Sequence, residues 1–328
     1  MNKLLLATTL VNTASCVLAV KGRVFGREIT RIISREIYKQ QRKKIESNSG
    51  SVLQTFFSEQ IDHVLKEINK LTSFQPDVLL TSLFDMKEWN EELINRVLPV
   101  LSKGMAESAK AMLLSIGANV KSTASDWLRE SGLESPPGIA TEFPAWMKRE
   151  IGKRLKETFD QDYWQKINQS TRDDILQILT NGLQEGWSIR SMTNEIESKF
   201  GDEYSKERAK KIAITESGNA LNSARDMDIQ QLKEEMGEAG QYVGKSWLTV
   251  LDDRTRDAHA DMDGALADSE GMFDYAGERG GSYRIPWPGY YGLPPEDRCN
   301  CRCSLISEFG FGAPEEELQE IAQRLAYE

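Results

Sequence analysis

The feature that most constrains this chain is a change of rhythm near residue 237. Up to that point apolar residues recur at helical spacing: Phe25, Ile29, Ile32, Ile33 and Ile37 form one such series, and Leu53, Phe57, Ile61, Val64, Ile68 and Leu71 form another. That spacing gives each helix one stripe to bury and one face to leave in water. From Gln241 to Gly312 the periodicity stops, and 14 glycines or prolines stand among many aromatics, a composition suited to short strands and ordered loops. The expected fold class is α+β, with mostly helical N-terminal and middle regions and a small C-terminal domain of short strands and long loops.

A chain of 328 residues exceeds the size at which one core stops growing, so several domains are expected. The triplet Asn48-Ser49-Gly50 is turn-forming and predicts a break between the first two helices. Further helices are expected at about 86–98, 102–130, 144–168, 171–185, 188–200 and 204–236, punctuated by Pro76, Pro99, Gly132 and the Pro136-Pro137-Gly138 turn. The resulting division is a helical region over 1–135, a helical middle over 136–236, an α+β domain over 237–313 and an acidic helix over 314–328. Pro314 followed by Glu315, Glu316 and Glu317 suits the start of that last helix.

Charge is unevenly placed. The chain carries 41 basic and 51 acidic residues, a net charge of −10, yet Lys21 to Ile45 hold nine basic and two acidic residues, net +7. Within that segment Arg23, Arg27, Arg31, Arg35, Lys39 and Lys43 are spaced by four, a ridge winding along one helix. Such a stripe could lie on DNA phosphates or on an acidic protein surface; the alternative is a solvated face, made milder by Glu28 and Glu36. The opening MNKLLLATTLVNTASC starts as a signal peptide would, but Thr8, Thr9, Asn12, Thr13 and Ser15 interrupt it, and no stretch reaches the ~20 apolar residues of a membrane span. No membrane partner is expected. Cys16, Cys299, Cys301 and Cys303 are not spread as a disulfide framework, which points to a reducing compartment.

Three constellations carry candidate chemistry. In RAKKIAITESGNALNSAR the residues Arg208, Lys211, Thr215, Asn219, Asn222 and Arg225 share one helix face, and its wealth of amides suggests bonding to another protein surface. Glu216 has no histidine or second carboxylate at helical spacing, so it is read as structural rather than as a general base. Asp252, Arg254 and Arg256 alternate where opposite charges could form a network bracing the loop that follows. His259 with Cys301 and Cys303 offers imidazole and thiolate, the usual ligands of structural zinc, with Cys299 or Asp263 to complete four. The alternative is a packed pair of reduced thiols beside a hydrogen-bonded imidazole. In either case His259 and the cysteines should lie together and fasten the 265–298 loop at both ends. His259, Asp261, Asp263, Gly264 and Glu270 imitate the spacing of a calcium loop, but histidine is a poor first ligand and Ala267 supplies no oxygen.

Three separated blocks, RAKKIAITESGNALNSAR, KSWLTVLDDRTRDAHADMDG and the closing NCRC from Asn300 to Cys303, together resemble the Mu F-like minor head proteins of tailed bacteriophages. The resemblance covers about residues 170 to 305 and includes Trp247, Asp252, Arg254, Thr255, Arg256 and His259. It implies a structural, non-enzymatic minor capsid protein associated with the portal vertex and needed for head assembly. It implies the portal protein as partner, with the major capsid or scaffolding protein and viral DNA as further contacts. The place implied is the virion, at the capsid interior or portal vertex, and the host cytoplasm during assembly. Arg208, Thr215, Glu216, Asn222, Trp247, Asp252, Arg254 and Arg256 would then form a structural network. The rival reading is a metal-dependent hydrolase or a toxin built on a phage-like domain. Against it, the chain has no HExxH, no Gly-x-Ser-x-Gly and no phosphate-cradling glycine loop.

Overall fold

A computed structural model of the chain describes residues 24–70, 85–117, 143–159, 162–309 and 315–327. Arg23, Cys16, the N-terminal apolar run, Pro76, Gly132, the Pro136-Pro137-Gly138 turn and Pro314 lie outside them. The fold is mostly helical, with two small antiparallel sheets near the C-terminus, so the class is α+β. The helices are α1 Val24–Asn69, α2 Met86–Gly117, α3 Ala145–Phe159, α4 Asp162–Gln184, α5 Ile189–Phe200 and α6 Asp202–Glu235. A 3-10 turn, Gly237–Tyr242, then leads to β1 Val243–Leu248, the short helix α7 Asp257–Asp261, β2 Phe273–Ala276 and β3 Ser282–Ile285. A one-turn helix α8 Pro295–Arg298, the strand β4 Ser304–Phe309 and the helix α9 Glu315–Tyr327 complete the chain.

Three expected breaks are corrected. Asn48-Ser49-Gly50 does not end a helix: α1 runs straight through it, with Ser49 buried. The physical reason is tertiary packing: Ser49 is buried, and a Cβ on Gly50 would stand at ordinary contact distance, 3.8 Å, from the Ala213 methyl. Tertiary contact of that kind overrides a local turn preference worth about 1 kcal/mol per residue. Likewise α2 continues through Pro99 instead of splitting there, and α4, Asp162–Gln184, runs on through 169–170, where a break was expected. The α4–α5 corner does follow its local signals: Gly186 takes a positive φ of 71° after the helix, and Ser188 caps α5 by accepting from Ser191 N at 3.1 Å.

The chain forms two compact units, each assembled from distant segments. One comprises Lys44–Lys103 and Gly152–Ser217, and the other Met1–Lys43, Gly104–Ile151 and Gly218–Glu328, so far as these are described. The first unit buries the stripe read from the sequence. Ile61, Val64 and Ile68 of α1 pack with Ile175, Ile178 and Leu179 of α4 and with Met192, Ile196 and Phe200 of α5. Burying each such side chain contributes about 1.5–3 kcal/mol relative to leaving it exposed. Inside this unit an amide relay crosses three helices, with Gln60 Nε2 donating to Asn168 Oδ1 (3.2 Å) and Asn168 Nδ2 donating to Asn90 Oδ1 (2.7 Å).

The second unit is centred on β1. It pairs antiparallel with β4, Trp247 opposite Leu305, and its other edge is bonded by Ala265, Ala267 and Gly264. The 265–298 segment is not one long loop: β2 and β3 form a hairpin within it, Tyr275 opposite Tyr283, and α8 closes it. Trp247, Phe273, Tyr275, Ile285, Trp287, Leu293, Cys301, Cys303 and Leu305 make its core.

Candidate functional site

At the middle of that core lie the imidazole and two thiols. Trp247, wholly buried on β1, stacks with Tyr275 (centroids 5.9 Å apart, planes 3° apart) and presents an edge-on contact to His259 at 5.8 Å. His259 sits on α7, the turn that follows Arg256, and is 2% exposed. Its Nε2–H donates to the Asp297 carbonyl at 3.0 Å, which leaves the Nδ1 lone pair facing Cys303 Sγ at 3.3 Å and Cys301 Sγ at 3.6 Å. The three ligand atoms lie within 4.8 Å of one another and all three residues are buried. The thiols titrate as a pair. A hydrogen bond from Cys303 draws Cys301 well below the usual thiol range, with help from His259, while the same bond and burial push Cys303 up.

Main-chain anchors hold the Cys-Arg-Cys segment from two helices. Tyr38 Oη of α1 donates to the Cys303 carbonyl (3.1 Å) and Arg42 Nη2 to the Cys301 carbonyl (2.8 Å). From α6, Asn222 Nδ2 donates to the Cys303 and Pro288 carbonyls (3.0 and 2.9 Å), while its Oδ1 accepts from Leu305 N. Arg225 donates to the Leu305 carbonyl (2.8 Å) and stands 4.8 Å over the Tyr38 ring. Burial pulls the Arg225 guanidinium down to about 10 and pushes the Tyr38 phenol up to about 12, so at neutral pH the first stays charged and the second protonated. Gly218 is required here: a Cβ would come within 3.2 Å of the Cys301 carbonyl oxygen, where α6 passes closest to the cysteine segment.

Several expectations are relocated by this geometry. The amide-rich face of α6 does not face outward to another protein. Asn219, Asn222 and Arg225 are buried and bonded within the chain, Asn219 Oδ1 accepting from Trp287 Nε1 at 2.8 Å. Thr215 and Glu216 are also buried, the Thr215 hydroxyl donating to the Lys211 carbonyl. Arg208 bonds the Ile167 carbonyl and the Ser170 hydroxyl and lies over the Phe57 ring at 5.0 Å. The expected network of Asp252, Arg254 and Arg256 is rearranged. Asp252 takes a two-pronged bond from Arg302, the residue between the cysteines, which holds its carboxyl well below the usual carboxylate range. Arg254 is largely exposed at 3.7 Å from Asp252, and Arg256 braces the Cys299 and Asp297 carbonyls instead of a carboxylate.

Cys299 is half-buried and stands apart from the His259–Cys301–Cys303 group, because Asn300 adopts a left-handed φ of 58° and turns the chain between them. Asp263 caps β1 by accepting from Thr249 N at 2.8 Å. Among the described residues, Asp261 and Glu270 join no metal-ligating cluster. Of the basic ridge, Lys39 and Lys43 are exposed while Arg35 turns inward to the Thr249 carbonyl at 3.4 Å; the side chains of Arg27 and Arg31 lie outside the described residues. Tyr38, Arg42, Asp297 and Arg302 escaped the reading of the sequence. Only Arg302 had a visible signal, its place inside the Cys-Arg-Cys motif.

The site is thus a small α+β domain whose cysteine segment and last strand are held by buried bonds from helix side chains to main-chain carbonyls. Residues 173–306, about two fifths of the chain, match the family described as phage Mu protein F like protein. The match begins within α4 and ends in β4; Tyr38 and Arg42 fall outside it. Over 165 residues the chain is 30% identical to the NAD(+)–arginine ADP-ribosyltransferase EFV of Enterococcus faecalis (strain ATCC 700802 / V583), an alignment covering 48% of this chain and 31% of that protein. The chain thus spans about a third of the length of the curated relative it matches. No solved structure matches it. No helix among the described residues is long and apolar enough to cross a membrane.

Proposed function

We propose that this protein is a minor head protein of a tailed bacteriophage, built into the capsid at the portal vertex, required for head assembly, and without catalytic activity. The match over residues 173–306 carries the reading. The structure supports it physically: the amides and guanidinium groups of α6 that a binding or catalytic surface would present are consumed in holding β4 and the cysteine segment. The portal protein is the expected partner, with major capsid or scaffolding protein and packaged DNA as further contacts, and the virion and assembling head as the location. The exposed Lys39 and Lys43, with Arg23, Arg27 and Arg31 preceding them, supply the anionic contact.

The second reading is NAD-dependent arginine ADP-ribosylation, favoured by the alignment to EFV, which leaves most of that protein unmatched. One pair of assays separates the two. Co-expression with the portal protein of the same phage genome should yield a complex that co-sediments, and incubation with NAD and an arginine-containing acceptor should release no nicotinamide. Absence of the complex, or steady nicotinamide release, would overturn the proposal.

A further inference from the structure

We infer that His259 Nδ1, Cys301 Sγ and Cys303 Sγ together bind one zinc ion, a structural centre that locks the C-terminal domain. The donor set is right in kind: neutral imidazole and two thiolates are the preferred ligands of this borderline-soft ion. It is also right in shape. Zinc holds sulfur at about 2.3 Å and nitrogen at about 2.0–2.1 Å, so tetrahedral angles place N and S about 3.5 Å apart and the two sulfurs about 3.8 Å apart. The observed Nδ1–Sγ separations are 3.3 and 3.6 Å, and the whole group fits within 4.8 Å.

The surroundings are those of a metal site rather than of packed thiols. A ligating histidine usually donates its other ring N–H to a carbonyl or carboxylate, which fixes its tautomer, and His259 Nε2 does this to Asp297. The cysteine carbonyls are independently held by Arg42, Tyr38 and Asn222, so the two sulfurs are preset by the fold. Cys299 is excluded by the turn at Asn300, and Asp263 is engaged with Thr249. Among the described residues no fourth side chain joins these three. With exposures of 2%, 5% and 3% for His259, Cys301 and Cys303, the centre is enclosed and its role is architectural.

The test uses the full chain, produced with zinc in the medium and purified with a phosphine reductant and no chelator. Elemental analysis should find about one zinc per chain, and cobalt exchanged into the protein should show thiolate-to-metal charge-transfer absorption. Cys301→Ser, Cys303→Ser and His259→Gln should each lose the metal, whereas Cys299→Ser should keep it. Should the ligand variants fail to fold, the wild-type chain still decides by alkylation: Cys299 should react without chelator, and Cys301 and Cys303 only after a strong chelator is added. Burial alone would protect both thiols whether or not chelator is present. Unchanged protection, a metal-free wild-type chain without a cobalt spectrum, iron or copper in place of zinc, a Cys301–Cys303 disulfide, or full metal retention in the Cys301 and Cys303 variants would each overturn the assignment.

Discussion

The two compact units of this chain are stabilised in opposite styles. The unit containing α4 and α5 has an aliphatic core, Ile61, Val64, Ile68, Ile175, Leu179 and Ile196, in which many interchangeable contacts share the work. The unit containing β1 to β4 rests on fewer, less replaceable elements: a Trp247–Tyr275 stack, a His–Cys–Cys cluster, and the Cys301, Cys303 and Leu305 carbonyls, each met by a side chain from α1 or α6. Aliphatic packing is non-directional and tolerates exchange, whereas a buried carbonyl whose donor is removed keeps its full desolvation cost. The second unit should therefore be the more sensitive of the two to single substitutions.

The largest effect is expected from Trp247→Ala, which removes a wholly buried indole and should cost about 3–5 kcal/mol in denaturant unfolding. Hydrogen exchange should localise the loss of protection to peptides within 243–309; an equal loss across 175–200 would break the contrast between the units. Next comes Arg42→Ala, which strips the Cys301 carbonyl of a charged donor and should cost about 1.5–3 kcal/mol. A loss under about 0.5 kcal/mol, the range of ordinary surface changes, would show that this bond contributes little. In the aliphatic core, Ile196→Val removes one methylene and should cost only about 0.5–1.5 kcal/mol. A larger loss there than at Arg42 would reverse the comparison.

The smallest effect concerns pH. Arg302 holds the folded-state pKa of Asp252 down, so the pair's contribution is present above the unfolded carboxylate value of about 3.9 and disappears as pH falls through the folded one. Wild type and Asp252→Asn should therefore differ in Tm near neutrality and converge on acidification. A difference that grows below pH ~4 would contradict that sign.

The fold class was legible in the sequence because apolar periodicity reports which face of a helix is buried, and the series from Leu53 to Ile68 does line a core. The glycine, proline and aromatic composition after Gln241 marked the β region for a similar reason, since turns and pleated packing demand those residues locally. Ser188 and Gly186 bounded helices where local preference met no opposition. The gathering of His259, Cys301 and Cys303 could be anticipated from chemical kind, while the exclusion of Cys299 depended on the left-handed turn at Asn300.

Tertiary structure alone decided the rest. Asn48-Ser49-Gly50 stayed helical with Ser49 buried and Gly50 packed near Ala213, tertiary contacts that no local preference encodes. The amide face of α6 looked like a surface for a partner, and only folding showed that its partners are the Pro288, Cys303 and Leu305 carbonyls of the same chain. Tyr38 and Arg42 gave no signal, since a side chain that bonds a distant carbonyl is selected by a three-dimensional position, and main-chain carbonyls look identical in every sequence.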